Sequence, residues 1–233
     1  MEIAIILLVG YLIGAIPFGW IICKYYGLNP RTSGSGATGA TQVLRILAQN
    51  GIRRPGWKFA LSLLLDGLKA LIPLLVVILL VSESELTHIA MAGTICLGHT
   101  RSIWLFLFDR DPDILSRSVL QRLNGGKAVS TAIGVTIALV PSEPTLALIV
   151  VSIFLFFGLG FVLSRWRMSV GSLLGTLAGA IGITVLLFEG YLSLTYFAGL
   201  LGIGVLIVVM HWDNIKRIMN KKESAIIERR AAP

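Results

Sequence analysis

Long apolar stretches, separated by short polar connections, make up most of this chain. About 20 consecutive apolar residues are enough to carry a helix across the hydrocarbon core of a bilayer. Seven stretches approach that length, at residues 2–24, 57–81, 86–108, 126–140, 144–163, 169–188 and 191–210. The fourth is the shortest, yet the set as a whole predicts an all-α integral membrane protein with seven transmembrane helices.

The connections show no feature of a second folded unit. The pattern therefore predicts one membrane-embedded domain over residues 1–233, with residues 216–233 as a basic cytoplasmic tail beside anionic lipid headgroups. The first stretch is not expected to be a cleaved signal peptide. It begins Met-Glu-Ile, without a positive charge, and its apolar run is too long.

The distribution of charge gives an orientation. The 233-residue chain is 55% hydrophobic and carries a formal net charge of +8. Lys69 and Arg101 fall well inside apolar stretches. The other 18 of the 20 lysines and arginines lie on one side of the predicted bundle, and the charged residues of the other side are all glutamates. This asymmetry predicts an outside N-terminus and a cytoplasmic C-terminus. It also argues against nucleic acid as the partner of the positive charge.

A segment rich in glycine and hydroxyl side chains follows the first stretch. It runs from Arg31 to Arg45 and contains Gly34, Gly36 and Gly39 among serines and threonines. Backbone N–H groups can converge on an anion where side chains are missing, and the two arginines add positive charge at either end. We therefore expect a phosphate site here. The literal G-x-G-x-x-G spacing is not a dinucleotide fingerprint, because an apolar membrane stretch precedes it and not a strand.

Five further polar clusters enter or flank the apolar stretches, each at or near the cytoplasmic side. They are Asp66 with Lys69, residues 98–101 around His99, residues 124–127, residues 167–172 and residues 211–217. Each alone has a structural explanation: an ion pair, a packed histidine, a turn, small-residue helix packing or a polar helix cap. Together they predict one pocket for one or more phosphate groups. No metal-ligand spacing occurs, and Cys23 and Cys96 suggest no disulfide framework.

The order of these motifs resembles the bacterial acyl-phosphate:glycerol-3-phosphate acyltransferase (PlsY) family over nearly the whole chain. The matching residues are Tyr11 to Gly19, Gly34 to Arg45, Asp66 and Lys69, Gly98 and His99, Gly125 to Lys127, Ser169 and Ser172, and His211, Asn214, Arg217 and Glu223. Such collinearity is far more specific than any single motif.

The chain departs from the family pattern at several positions. Ala37 and Gln42 stand where the family usually has asparagine. Arg101 and Ser102 replace a Phe-Pro pair, and Asn124 replaces a lysine. Residues 109–123 read as an insertion in a cytoplasmic loop. A rearranged loop beside a phosphate site could alter donor preference or weaken activity.

The resemblance implies a seven-helix enzyme of the bacterial plasma membrane with its active face in the cytoplasm. It would move a fatty acyl group from acyl phosphate to the 1-hydroxyl of glycerol 3-phosphate, releasing lysophosphatidic acid and phosphate as the first step of phospholipid synthesis. No metal or organic cofactor is expected. A separate enzyme would form the acyl phosphate, and membrane lipid would surround the protein.

The motifs assign residues to each role under this resemblance. The catalytic residues would be Ser35, Lys127 and His211. Acyl phosphate would be held by Gly34, Ser35, Gly36, Thr41, His99, Gly125 and Gly126. Glycerol 3-phosphate would be held by Arg45, Lys127, Ser169, Ser172, His211 and Asn214. The group that accepts the hydroxyl proton stays open between His211, His99 and a substrate phosphate; the last is favoured because no histidine–carboxylate pair is evident.

Two other classes of protein remain open on the sequence. One is an acyltransferase-like protein that has lost or changed its activity, which Ala37, Gln42 and the 109–123 insertion would explain. The other is a membrane carrier for phosphate or organic anions. A carrier is expected to place polar residues through the full bilayer depth, often with inverted repeats, and the polar groups here favour one side.

Overall fold

The computed structural model describes residues 2–226. Met1 and residues 227–233, which include Arg229 and Arg230 of the predicted basic tail, lie outside the described residues. Within the described part the chain is all-α, and its single β-type contact is an isolated bridge between Arg101 and Asn124. The helices are α1 (Glu2–Gly14), α2 (Phe18–Tyr25), α3 (Ala40–Gln49), α4 (Pro55–Leu80), α5 (Glu85–Thr100), α6 (Ile103–Phe108), α7 (Pro112–Leu115), α8 (Val119–Arg122), α9 (Val129–Leu139), α10 (Leu146–Leu163), α11 (Met168–Phe188), α12 (Leu194–Met210) and α13 (Trp212–Met219).

Several helices are long and apolar enough to cross a membrane. Four candidates qualify by length and composition: α1 with α2, α4, α10 and α11. The count becomes five if α12 and α13, which meet at a 55° bend, form one broken span. The expected all-α membrane architecture is thus confirmed, and every predicted apolar stretch contains a helix.

The third predicted stretch, residues 86–108, is divided in the structure. Helix α5 ends at Thr100, and α6 begins at Ile103 after Ser102 adopts an extended backbone. The Ser102 hydroxyl accepts from the N–H of Leu105 and donates to the carbonyl of Ala15, so it caps α6 and ties it to the first stretch. Hydrophobicity alone did not show this break, because the short polar run at residues 98–102 is followed by further apolar residues from Ile103 to Phe108.

Small residues let the helices approach closely. A Cβ atom on Gly14 would lie 2.1 Å from the carbonyl oxygen of Ile95, and one on Gly134 would lie 2.2 Å from that of Gly67. These contacts pack α1 against α5 and α9 against α4. Backbone proximity of this kind is the usual basis of helix association where lipid removes the hydrophobic driving force.

The bundle has two distinct ends, which we name by their content. The polar end holds the loop before α9 and the bend between α12 and α13. The far end holds a closed apolar core that includes Leu139, Leu146, Leu192 and Tyr196, all at most 4% exposed. The Tyr196 hydroxyl is 2.8 Å from Nδ1 of buried His88, and Nε2 of this histidine is 2.6 Å from the carbonyl of Ser82, so both side chains are paired.

Candidate active site

A cavity of about 270 Å³ starts at the polar end and extends between α9, α10, α11 and α12. Nine of the residues predicted from sequence line it: Ser35, Thr41, Arg45, His99, Lys127, Ser169, Ser172, His211 and Asn214. A smaller cavity of about 190 Å³ adjoins it and is lined by Gly125 and Gly126. Ser35, Lys127 and Asn214 line both. The fold therefore brings Ser35 and Asn214, which are 179 positions apart in the chain, to the same two cavities.

Three helices begin at the polar end of the larger cavity. The lining includes Ala40 and Thr41 of α3, Val129 and Ser130 of α9, and Met168 with Ser169 of α11. The first N–H groups of a helix lack partners within it, and the helix dipole makes that end positive. Three such ends in one place make this part of the cavity suitable for anions.

The predicted glycines Gly34 and Gly36 do not line either cavity. They adopt φ angles of +59° and +64°, the left-handed region that glycine tolerates best. A Cβ on Gly34 would sit 2.9 Å from the side-chain nitrogen of Gln42. These two glycines shape the loop, and Ser35 between them is the residue that reaches the cavity.

Gln42, one of the departures from the family pattern, braces this loop from inside. Its Nε2 donates to the carbonyls of Pro30 and Ser33 at 3.1 and 2.8 Å, and its Oε1 accepts from the Ser35 hydroxyl at 3.4 Å. Position 42 thus still carries a side-chain amide, on a side chain one methylene longer than the asparagine usual in the family. Ala37 is buried and brings no polar group to the cavity that it lines.

The glycine pair joins the loop to the end of α5. Thr38 donates its N–H to the carbonyl of Gly125, and Gly126 donates to the carbonyl of His99 at 2.9 Å. A Cβ on Gly126 would lie only 2.0 Å from Nε2 of His99. Glycine is therefore required here for the imidazole to pack against the backbone.

Asp66, Lys69 and His99 form a buried group below the loop. Asp66 lies 2.9 Å from Nζ of Lys69 and 3.6 Å from Nδ1 of His99, and Lys69 also donates to the carbonyl of Ile16. The internal ion pair is confirmed. A histidine–carboxylate pair was not evident from the sequence. His99 and Asp66 lie close enough to form one, although this carboxylate is already neutralised by Lys69.

Glu223 occupies the centre of the polar end, and sequence reasoning named it only as part of a signature. Its carboxylate accepts from Ser169, Asn214 and Arg217, each at 2.7 Å. Burial acts to raise the pKa of Glu223, but these hydrogen bonds outweigh it and hold the pKa below that of an ordinary glutamate. The segment after α13, expected to be part of a basic cytoplasmic tail beside lipid headgroups, folds back across the site through Glu223.

Lys127 and His211 face the same space. Lys127 donates to Oδ1 of Asn214, and burial lowers the pKa of this lysine, which precedes α9, to about 8. His211 lies at the bend between α12 and α13, with Nδ1 2.8 Å from the carbonyl of Ile207. Because a carbonyl only accepts, Nδ1 carries the proton, and Nε2 of neutral His211 is an acceptor.

The expectation that Arg31 adds positive charge to a phosphate site was wrong. Its guanidinium is buried, donates to Asp109 at 2.9 Å and also donates to the carbonyls of Gln121 and Arg122. All three acceptors belong to the 109–123 insertion, and no residue of that insertion lines either cavity. The insertion supports the loop from outside.

Metal chemistry has no visible site in the part of the chain that the structure covers. Among residues 2–226, no group of three or more His, Cys, Asp or Glu side chains is arranged to hold a metal ion. Cys23 and Cys96 are both buried and free.

Comparison with known proteins relates this geometry to one family. The family described as glycerol-3-phosphate acyltransferase matches residues 4–221. A glycerol-3-phosphate acyltransferase of Neisseria meningitidis is 35% identical over 228 residues, covering 95% of this chain and 96% of that protein. The corresponding protein of Dechloromonas aromatica is 33% identical over the full length of both chains.

Solved structures agree with the sequence relatives. A crystal structure of PlsY (YgiH), an integral membrane glycerol 3-phosphate acyltransferase in its glycerol 3-phosphate form, superposes with a TM-score of 0.73 at 26% identity, covering 97% of this chain and 96% of that one. The lysophosphatidic acid form gives a TM-score of 0.70 with 97% and 95% coverage. By family match, full-length relatives and fold together, this chain belongs to the glycerol-3-phosphate acyltransferase family and is a membrane acyltransferase of phospholipid synthesis.

Proposed function

We propose that this protein transfers a fatty acyl group from acyl phosphate to the 1-hydroxyl of glycerol 3-phosphate, giving lysophosphatidic acid and phosphate. One observation supports this most directly. A single cavity joins a polar end, with Arg45, Lys127 and three helix N-termini, to a long apolar part. Such a site suits a molecule with an anionic head and an alkyl tail.

The donor phosphate fits the loop side of the polar end. Ser35, Thr41 and the first N–H groups of α3 line the larger cavity there, and Gly125 with Gly126 lines the adjoining one. These groups can donate to phosphate oxygens and to the developing oxyanion of the attacked carbonyl. The acyl chain then extends into the apolar part. His99, packed on Gly126, shapes this subsite from below.

The acceptor fits the opposite side, where α11 and α13 meet. Arg45, Lys127, Ser169, Ser172, His211 and Asn214 all reach this space. In the arrangement seen here Ser169 donates to Glu223 and Ser172 to the carbonyl of Met168. Binding of the acceptor phosphate therefore needs a rotation of these hydroxyls, or contact through Arg45 and Lys127.

The reaction needs positioning more than a protein nucleophile, because an acyl phosphate is already activated. The acceptor oxygen attacks the acyl carbon, the bond from that carbon to the phosphate oxygen breaks, and phosphate leaves. Nε2 of His211 accepts the hydrogen bond of the other hydroxyl of glycerol 3-phosphate, at position 2, and so orients the 1-hydroxyl. We assign the proton itself to a phosphate oxygen of a substrate, since the carboxylate beside His99, that of Asp66, is tied to Lys69.

We further propose seven spans with the polar end in the cytoplasm of a bacterial cell. Exposed Trp57, Trp166 and Trp212 all lie at the polar end, at the starts of α4, α11 and α13. Tryptophan concentrates at membrane interfaces, and the basic residues gather on this same side. A cytoplasmic site would receive its donor from an acyl-phosphate-forming enzyme working alongside.

Purified protein in lipid nanodiscs, mixed with acyl phosphate and glycerol 3-phosphate, tests the reaction. We expect phosphate release that depends on glycerol 3-phosphate, and its loss in Lys127→Ala but not in the matched control Lys216→Ala, which changes an exposed lysine of α13. No release from wild type, beside an active relative such as the Neisseria protein, would identify an inactive or re-specialised acyltransferase.

A further inference from the structure

The apolar part of the cavity ends blindly inside the bundle. The deepest residues that line it are Thr136 on α9, Ile149 on α10, Ile183 on α11 and Leu200 on α12. Beyond them lies the closed far-end core with Leu139, Leu146 and Tyr196, each at most 1% exposed. An alkyl chain that enters from the polar end therefore meets a floor.

The depth of this cavity matches one lipid chain. On α11 the lining extends from Met168 to Ile183. At about 1.5 Å of rise per residue, that interval corresponds to roughly 22 Å. One leaflet is half of a hydrocarbon core of roughly 30 Å, so the cavity is of the order of one fatty acyl chain in length.

The walls of the deep part present no free hydroxyl group to a ligand. Thr136 donates its hydroxyl to the carbonyl of Ala132 at 3.0 Å, and Thr176 donates to that of Ser172 at 2.8 Å. These two threonines can therefore contact a ligand in the cavity through their methyl groups. An alkyl chain thus meets a continuous apolar surface from Phe157 down to Ile183.

We propose that this blind end measures the donor's acyl chain, with Ile183 as the floor and Ala180 as the residue that sets the width just above it. This inference rests on the proposed acyl phosphate donor and deepens it. Each methylene that finds room in the cavity should tighten binding about fourfold. Beyond the length at which the chain reaches Ile183, affinity should stop rising.

Binding of non-reactive alkyl phosphates, from octyl to octadecyl, tests this independently of turnover. Kd for each ligand is measured in one fixed detergent and expressed on the free aqueous ligand concentration, so that partition into micelles does not enter the chain-length profile. Ala180→Phe should move the plateau to shorter chains and weaken octadecyl phosphate at least tenfold. Ile183→Ala, or the milder Ile183→Val, should move the plateau to longer chains. The controls Leu177→Phe and Ile181→Ala change exposed residues of the same helix and should match wild type.

The outcomes separate this proposal from the reaction. Shifted plateaus without phosphate release from acyl phosphate would support the measuring device and contradict the proposed reaction. Identical profiles in wild type and both cavity variants would overturn the measuring device even if the enzyme is active, as would failure to bind any alkyl phosphate. An affinity that rises with chain length without a plateau in wild type would also overturn the measuring device. The alkyl chain would then leave the bundle sideways past Phe154, which lines the cavity and is 54% exposed.

Discussion

Arg31 and Asp109 form a fully buried ion pair, with 2.9 Å between the guanidinium NH1 and the carboxylate Oδ2. Asn29 donates to the same carboxylate at 3.0 Å. The pair joins the start of the glycine-rich loop to the start of the 109–123 insertion. The insertion is thus part of the scaffold that holds Ser35 at the cavity, although it contributes no residue to the cavity itself.

Removing the charge of Asp109 should destabilise the protein strongly. Asp109→Asn leaves the buried Arg31 guanidinium without its counter-charge, which typically costs about 3–5 kcal/mol. Thermal unfolding in detergent should show a clear loss of Tm. Asp113→Asn, which changes an exposed carboxylate of the same insertion, is the control and should leave Tm unchanged. Equal Tm values for both variants would mean that the ion pair does not hold the insertion.

A methyl group at position 126 should be poorly tolerated. Gly126→Ala would place Cβ 2.0 Å from Nε2 of His99, so the imidazole or the loop must move. Overpacking of this kind costs about 1–3 kcal/mol. Gly158→Ala is the matched control, because a Cβ there meets nothing within 4 Å.

Both glycine variants are compared by Tm and by KM for the donor. The Gly158 variant should be neutral or slightly stabilised, since alanine is favoured over glycine in a helix. A Gly126 variant with wild-type Tm and wild-type donor KM would show that the loop is freer than its contacts indicate.

Replacing His211 should affect acceptor binding more than chemistry. His211→Gln keeps a side chain that can accept a hydrogen bond but misplaces it, so KM for glycerol 3-phosphate should rise roughly tenfold or more. Steady-state kinetics with varied acceptor separate the two constants. A large fall in kcat at unchanged KM, with loss of the acidic limb of the pH profile, would instead make His211 the general base.

Acceptor binding should weaken as pH rises through about 8. Burial lowers the pKa of Lys127 to about 8, so above that pH the ammonium loses the charge that attracts phosphate. KM for glycerol 3-phosphate should then increase with pH. Lys127→Arg should abolish this rise, because arginine stays charged throughout.

The exposed lysine of α13 again supplies the comparison for this pH series. Lys216→Arg should show the same rise in KM as wild type. If Lys127→Arg shows that rise as well, another group is responsible for it.

The sequence by itself determined the class of the protein and most of the site. Apolar runs of sufficient length require helices in lipid, because every backbone polar group must be satisfied within its own segment. The motifs that contain Ser35, Arg45, Lys127 and His211 could also be recognised from the sequence. A glycine, a cation or a histidine at a membrane surface has few structural uses. The order of the motifs identified the family.

Only the tertiary structure decided which polar groups are free and which are already used. Arg31 and Arg45 lie at the two ends of the same loop. The charge of Arg31 is paired with Asp109, whereas Arg45 lines the cavity. The partner of Arg31 lies 78 positions away, and no local pattern encodes such a distance. The same holds for Glu223, whose central place depends on how the chain turns after α13, and for the blind end at Ile183, where side chains of four helices meet. The hydrophobic pattern specifies that a residue is buried, but the packing between helices decides which residues it contacts.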